Sequence, residues 1–159
     1  MNEIAIDLDA TQISAIATLD SHFIDDVDEI AACYPLMRQL RPNLTSEAEF
    51  IARWRRQTSA GYRLLALWEN RNIMALAGFR VQENLVHGLH LYIDDLVTQD
   101  TVRSRGYGQQ IMIRLALEGR KLGCSKLTLD TALTNVLGHR FYYRNGLLAT
   151  ALRFQLPLS

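Results

Sequence analysis

The sequence has few cysteines and prolines, and no excess of charge of either sign. Its 159 residues include two cysteines and three prolines, and 17 basic side chains balance 17 acidic ones. Cys33 and Cys124 lack the CxxC spacing or adjacent histidine pair that is typical of metal or redox sites, so we interpret both as buried, reduced thiols and expect no metal. Because the basic residues are scattered, the broad positive field that a nucleic acid or an anionic membrane requires is absent.

The sequence also lacks a long apolar run. No run approaches the ~20 residues of a membrane-spanning helix, and the first ten residues contain three acidic side chains but no Lys or Arg, unlike a signal peptide. We therefore expect a cytoplasmic protein. With 48% hydrophobic residues, the length suits one domain with a sizeable core. We place this domain at residues 13–159, after an N-terminal lead-in at 1–12.

The first half of the sequence predicts a strand, two helices and a three-stranded meander. The strand is expected at 13–19. A helix follows that Asp25 or Asp26 can cap, and Pro35 should kink or split it; a capping box at 46–49 starts the second helix. Three extended runs joined by short connectors then predict antiparallel strands at 62–68, 73–81 and 89–97.

The second half predicts a strand, helix, strand crossover. The helix at 107–122 should expose Glu118 and bury Leu122, and the strand at 126–130 should lie parallel to 89–97. A short helix at 136–144 leads to a last strand at about 147–156. The predicted fold class is therefore α/β, an α+β mixed sheet in which an antiparallel meander joins a parallel strand pair with flanking helices.

Two stretches of this sequence have residue types that suit a reactive site. Arg103-Ser104-Arg105-Gly106-Tyr107-Gly108 joins a strand to a helix N-terminus, where free N–H groups and the helix dipole suit a pyrophosphate; a solvated turn is the alternative. Asp94 and Asp95 interrupt an apolar strand, where carboxylates are rare. Strand alternation sends the pair to opposite faces unless a bulge intervenes. One aspartate can instead be a structural hydrogen-bond acceptor, with the other exposed.

The order of these elements resembles the GNAT superfamily of acetyl-CoA-dependent N-acetyltransferases over residues 25–154. The resemblance is carried by the Arg-x-x-Gly-x-Gly loop, by Phe141-Tyr142-Tyr143-Arg144-Asn145-Gly146-Leu147, and by Asn135 seven residues before Tyr142. Seven residues are close to two helical turns, so Asn135, Gly138 and Tyr142 share a stripe on which we expect the small Gly138 to leave room for a cofactor arm. Ser104 departs from the commonest family form, which has glycine there.

The resemblance implies an acyltransferase that uses acetyl-CoA as cosubstrate and acetylates a primary amine of a small, cationic acceptor. It assigns Asp94, and after it Asp95, as the base, and Tyr142 as the group near the thioester sulfur. The Val97 N–H is expected to bind the carbonyl oxygen. The residues expected to bind the cofactor are Leu96, Val97, Thr98, Arg103, Ser104, Arg105, Gly106, Tyr107, Gly108, Gln109, Asn135 and Tyr142.

The resemblance also suggests further contacts and leaves other functions open. Tyr34, Met37 and Arg38 can line the acceptor pocket, and the chain can form a homodimer, as many members do. A domain that binds or senses acyl-CoA without turnover remains the alternative function. A nicotinamide dinucleotide site is disfavoured, because Ile111 stands where the third glycine of G-x-G-x-x-G belongs.

Overall fold

The computed structural model describes residues 19–158, which form a five-stranded mixed sheet with helices on both faces. The predicted strand at 13–19 falls, except for its last residue, outside these residues, as does the lead-in at 1–12. The elements run in the order β1 (Asp20–Phe23), α1 (Val27–Leu40), α2 (Glu47–Thr58), β2 (Arg63–Glu69), β3 (Asn72–Asn84), β4 (Gly88–Thr98), a 3-10 turn (Asp100–Val102), α3 (Tyr107–Lys121), β5 (Leu127–Leu129) and α4 (Val136–Arg144).

The five strands lie side by side in chain order. Strands β1 to β4 are antiparallel to their neighbours, which confirms the predicted meander. Strand β5 is parallel to β4 and pairs with it only along Leu91–Ile93, as the crossover through α3 predicts. Helices α1 and α2 pack on one face of the sheet and α3 on the other. The fold class predicted from the sequence is therefore confirmed.

Helix α1 continues through Pro35 without a break. Its N-cap is Asp26, whose carboxylate accepts the N–H of Asp28 at 2.7 Å. Apolar side chains are buried on both sides of the proline, at Ile30, Cys33, Leu36 and Met37, while Pro35 itself is exposed. The prediction of a split helix is wrong, because burial on both sides of Pro35 offsets the hydrogen bond that proline cannot donate.

Glu118, which the helical pattern predicts to be exposed, lies on the face of α3 that packs against the sheet. Glu118 is 3% exposed and accepts a hydrogen bond from Arg63 Nη1 at 3.1 Å. Arg63 in turn lies 3.9 Å above the centre of the Phe23 ring. Leu122, predicted to be buried, ends the helix and is 37% exposed. Both predictions are wrong. Glu118 can be buried because a cation on the neighbouring strand β2 pairs with it, and Leu122 is exposed at the C-cap, beyond the last helical turn.

The C-terminal segment, residues 147–158, contains no strand, so the predicted strand at 147–156 is wrong. Leu147 packs against the core, but the larger apolar side chains after it are exposed, namely Leu148, Leu152, Phe154, Leu156 and Leu158. An alternating apolar pattern indicates an extended chain, but a strand also needs a neighbour to pair with. Among the residues that the structure describes, no strand pairs with this segment. None of the helices in residues 19–158 has the length and hydropathy to span a membrane.

Candidate active site

A β-bulge in β4 places Asp94 and Asp95 on the same face of the sheet. Opposite β3, Ile93 pairs with Phe79 and Asp95 with the adjacent Gly78, so Asp94 is the extra residue. Before the bulge Ile93 packs into the core beneath α3, and after it Leu96 does so. The alternation therefore slips by one residue at Asp94. Both carboxylates line one cavity of about 540 Å³ on the α1 and α2 side.

Asp95 is held on both of its carboxylate oxygens. Arg41, the residue that ends α1, donates from Nε to Oδ1 at 2.7 Å, and the Tyr62 hydroxyl donates to Oδ2 at 2.9 Å. Arg41 also donates to the carbonyl oxygen of Asp94 at 2.7 Å, and so secures the bulge. Burial and the neighbouring Asp95 hold the pKa of Tyr62 well above its usual value, so the phenol remains a neutral donor.

Asp94 has more of its carboxylate available than Asp95. Arg80 Nε donates to Oδ2 at 3.0 Å, and within residues 19–158 Oδ1 has no donor. Burial raises the pKa of Asp94; Arg80 opposes this shift and the Asp95 charge adds to it. Since its side chain is 24% exposed, a carboxylate with a raised pKa and one unoccupied oxygen borders the cavity. This combination suits a group that accepts a proton.

Beyond the bulge, β4 separates from β5, and within residues 19–158 no strand pairs with this edge of β4, although the Thr98 carbonyl accepts a hydrogen bond from Gln39. Pairing with β5 ends at Ile93, whereas pairing with β3 continues to Thr98. The Gln99 N–H donates to the Met74 carbonyl at 2.9 Å, so the alternation of an antiparallel ladder directs the Val97 N–H toward β3 as well. The N–H groups of Leu96 and Thr98 point the other way, into the gap between the strands. The Val97 N–H, which we expected to bind the thioester carbonyl oxygen, thus points away from this gap, whereas the N–H groups of Leu96 and Thr98 point into it.

The glycine loop ends in a helix N-terminus that lacks a capping side chain. Gly106 is the N-cap of α3 in the left-handed conformation (φ 90°), and no described side chain caps the helix. The N–H groups of 106–109 therefore have no partner within the helix. Ser104 is also left-handed (φ 67°), a conformation in which glycine has no steric penalty. Arg103 pairs with Asp100 on the preceding turn.

Three elements meet at Gly108. A Cβ atom there would lie 3.0 Å from Phe141 Cε2 and 3.5 Å from Thr98 Cγ2, so this glycine lets the loop, β4 and α4 approach closely. Tyr142, next to Phe141, is half-buried, and burial raises its pKa. In the part of the chain that the structure describes, its hydroxyl has no hydrogen-bond partner.

Asn135 and Gly138 are in contact through the cap of α4, and not because Gly138 leaves room for a cofactor. Asn135 is the N-cap of α4, and its Oδ1 accepts the Gly138 N–H at 3.0 Å. A Cβ atom on Gly138 would lie 2.2 Å from Asn135 Nδ2. The space that we expected Gly138 to leave for a cofactor arm is therefore filled by the capping side chain.

Comparison with known proteins identifies the architecture around this site. Residues 24–147 match the Acetyltransferase (GNAT) family. The chain belongs to the GNAT family. Over 115 residues it is 36% identical to the uncharacterized N-acetyltransferase YhdJ of Bacillus subtilis (strain 168), a match that covers 72% of this chain and 81% of YhdJ.

Solved GNAT structures share the fold at low sequence identity. The aminoglycoside N-acetyltransferase AAC(6')-Iy in complex with CoA superposes with a TM-score of 0.77 at 15% identity, over 89% of this chain and 95% of the other. A predicted acetyltransferase from Clostridium acetobutylicum, solved with acetyl-CoA, superposes with a TM-score of 0.70 at 21% identity, over 89% and 97%. Membership in the GNAT family identifies this chain as an acyltransferase of a family that uses acetyl-CoA.

Within this GNAT domain, the residues that hold the carboxylates were not found from the sequence. Arg41 caps the end of α1, Tyr62 directly precedes β2 and Arg80 lies on β3, so no local spacing connects them to Asp94. Of the residues expected around the acceptor, Met37 lines the cavity. Tyr34 packs against the Phe50 ring in the core, and Arg38 is exposed outside the cavity lining.

Proposed function

We propose that this chain transfers the acetyl group of acetyl-CoA to the primary amine of a small acceptor by direct attack in a ternary complex. The observation that carries the proposal is the β4 bulge, which turns two carboxylates into one cavity just where β4 and β5 separate. The amine nitrogen forms a bond to the carbonyl carbon as the carbon–sulfur bond breaks. One proton of the alkylammonium passes to Asp94 before attack, and the proton that the nitrogen loses after attack passes to the sulfur, so that CoA leaves as the thiol.

The need for a base follows from the chemistry of the acceptor. An alkyl amine has a pKa near 10.4, so its deprotonation at pH 7 costs about 4.6 kcal/mol. Asp94 meets this need better than Asp95, because both oxygens of Asp95 are already occupied by Arg41 and Tyr62. The raised pKa of Asp94 brings it closer to the working pH of a general base.

For the cosubstrate, we assign the glycine loop and the unpaired edge of β4. The uncapped N–H groups of 106–109 suit the pyrophosphate. Arg105 adds positive charge, and Arg103, whose charge is paired with Asp100, adds further N–H donors. In the gap between β4 and β5, the N–H groups of Leu96 and Thr98 can bind the pantetheine arm and the thioester oxygen. Such a donor stabilises the negative charge that develops on that oxygen during attack.

Direct attack is supported by the state of both cysteines. Burial raises the pKa of Cys33 to about 12 and also raises the pKa of Cys124. The reactive form of a cysteine is the thiolate, so neither side chain is prepared to carry the acetyl group as an intermediate. An acetylated cysteine is therefore not part of the proposed reaction.

Calorimetry with acetyl-CoA, followed by thiol release with a panel of amines, tests the proposal. Binding together with release of CoA for at least one amine is the expected result. Binding without release for any amine would instead favour a domain that senses acyl-CoA without turnover. Absence of binding at millimolar acetyl-CoA would refute the cosubstrate assignment as well.

Replacing Tyr142 with phenylalanine tests its placement near the sulfur. Its raised pKa makes the phenol a poor proton donor, so we expect it to stabilise the departing thiolate by a hydrogen bond. Loss of a hydrogen bond to a charged group costs about 1.5–3 kcal/mol. We therefore expect kcat to fall about tenfold or more, with unchanged affinity for acetyl-CoA in calorimetry. Tyr143→Phe, on the neighbouring exposed side chain, is the matched control and should retain full activity.

We further propose that the chain forms a homodimer through the C-terminal segment, residues 147–158. The support is its row of exposed apolar side chains without a neighbouring strand, among them Leu152, Phe154 and Leu156. Sedimentation equilibrium should give twice the 18.1 kDa of one chain. A Phe154→Asp variant should sediment as a monomer; a wild-type protein that is monomeric at micromolar concentration would contradict the proposal.

A further inference from the structure

The charges around the cavity bear on the identity of the acceptor. Each aspartate at the bulge already has an arginine partner: Asp95 pairs with Arg41 at 2.7 Å, and Asp94 pairs with Arg80 at 3.0 Å. The two carboxylates are therefore largely neutralised before any acceptor binds. A polycationic acceptor would find little unbalanced negative charge here.

Together with Arg41, two arginines that do not pair with the aspartates line the cavity. Arg53, on α2, donates from Nη2 to Glu49 at 2.6 Å, and Arg153, in the C-terminal segment, pairs through Nη1 with Asp130 at 3.0 Å. Neither Glu49 nor Asp130 lines the cavity. The lining contains three guanidinium groups and two carboxylates. With the partners outside the lining counted as well, the charges of the four ion pairs balance, so selection of a ligand depends on the donors that the arginines leave unused.

Both of these arginines retain donors for a ligand. A guanidinium has five N–H donors, and the pairs with Glu49 and Asp130 each use one nitrogen. The partners also hold each arginine in position. Glu49 is fixed by the N–H of Thr45 at 2.8 Å, and Asp130 accepts a hydrogen bond from the Tyr92 hydroxyl at 2.6 Å. Arginine donors arranged in this way recognise carboxylate or phosphate oxygens.

We infer that the acceptor is an amine that also bears an anionic group, a carboxylate or a phosphate, which Arg53 and Arg153 bind while the amine faces Asp94. This inference rests on the proposed function. It changes the expectation of a purely cationic acceptor, which followed from the aspartates without their arginine partners. In this arrangement Arg53 on α2 and Arg153 in the C-terminal segment bind the anionic end of the acceptor, and Asp94 on β4 faces its amine end.

Matched pairs of amines test the inference in a thiol-release assay. L-lysine is compared with cadaverine, which lacks the carboxylate, and glucosamine 6-phosphate with glucosamine, which lacks the phosphate. We expect kcat/KM to be at least tenfold higher for the member of one pair that bears the carboxylate or phosphate, and the pair that responds distinguishes these two groups. Equal or faster turnover of cadaverine and glucosamine would overturn the inference but leave the proposed function intact. Absence of turnover with every amine would instead count against the proposed function.

Arginine variants connect the preference to named side chains. Arg53→Gln and Arg153→Gln should each raise KM for the preferred amine about tenfold, while KM for the partner that lacks the anionic group and affinity for acetyl-CoA stay unchanged. Arg56→Gln removes the same charge from the exposed side of α2 and should have no effect. If Arg56→Gln raises KM as much as Arg53→Gln, the effect is long-range electrostatics and the assigned binding site is wrong. Thermal unfolding of each variant checks that the fold is preserved.

Discussion

Replacing Asp94 with asparagine is expected to lower kcat about 100-fold or more, with unchanged affinity for acetyl-CoA. General base catalysis contributes about 100-fold to 10,000-fold, and asparagine cannot accept the amine proton. The amide retains the size of the side chain and can still accept a hydrogen bond from Arg80. Steady-state thiol release and calorimetry on the same preparation separate the loss of chemistry from the loss of binding.

The pH profile and the neighbouring aspartate provide the controls. The base acts only as the carboxylate, so the wild-type rate should fall as the pH falls through the raised pKa of Asp94. That acidic limb should be absent from the residual rate of Asp94→Asn. Asp95→Asn should retain kcat within tenfold and mainly lower stability, because Asp95 is engaged by Arg41 and Tyr62. The reverse ranking of the two variants would assign the base to Asp95.

Replacing Gly78 with alanine is expected to destabilise the fold by about 3 kcal/mol, at the upper end for an overpacked core. A Cβ atom there would lie 2.0 Å from the Tyr62 hydroxyl and 2.5 Å from its Cζ. Tyr62 is 4% exposed and cannot move away without breaking its bond to Asp95. Chemical denaturation should therefore show a lower free energy of unfolding, while kcat should stay within tenfold, as for Asp95→Asn.

A helical glycine gives the matched control for Gly78→Ala. A Cβ atom on Gly119 would meet its nearest neighbour, Leu91 Cδ1, at 3.6 Å, so Gly119→Ala should not destabilise the protein. In a double-mutant cycle, Tyr62→Leu should remove most of the cost of Gly78→Ala, because the two positions share one volume. Additive losses of stability would show that Tyr62 is not the source of the clash.

The sequence predicted the elements that depend on local pattern, and the errors have identifiable physical causes. Asp26, the glycine turn at Gly106 and the parallel strand β5 follow from capping, backbone conformation and chain connectivity. The prediction for Glu118 failed because its partner, Arg63, is 55 residues away in the sequence. The strand predicted at 147–156 failed because an alternating pattern does not specify a neighbour to pair with.

The carboxylates and the glycine loop of the candidate site could be predicted from the sequence, but the residues that hold the carboxylates in place could not. Aspartates within an apolar strand are visible in the sequence, as is a glycine turn before a helix. The partners of Asp95, Arg41 and Tyr62, come from distant elements, and only the fold brings them together. The sequence analysis stated that a bulge would place both aspartates on one face, but it could not predict that the bulge occurs. The bulge depends on the pairing of β4 with β3 at Gly78, which the sequence of β4 alone does not specify.

The extra residue in β4 makes this site sensitive to residue count as well as residue type. A point substitution alters one side chain, whereas loss of a single residue between Ile93 and Leu96 would restore an uninterrupted ladder with β3. Only one of the two aspartate positions would then remain beside the cavity. Relatives that are one residue shorter here would have to divide the tasks differently, since a single carboxylate would have to both hold Arg41 and accept the proton.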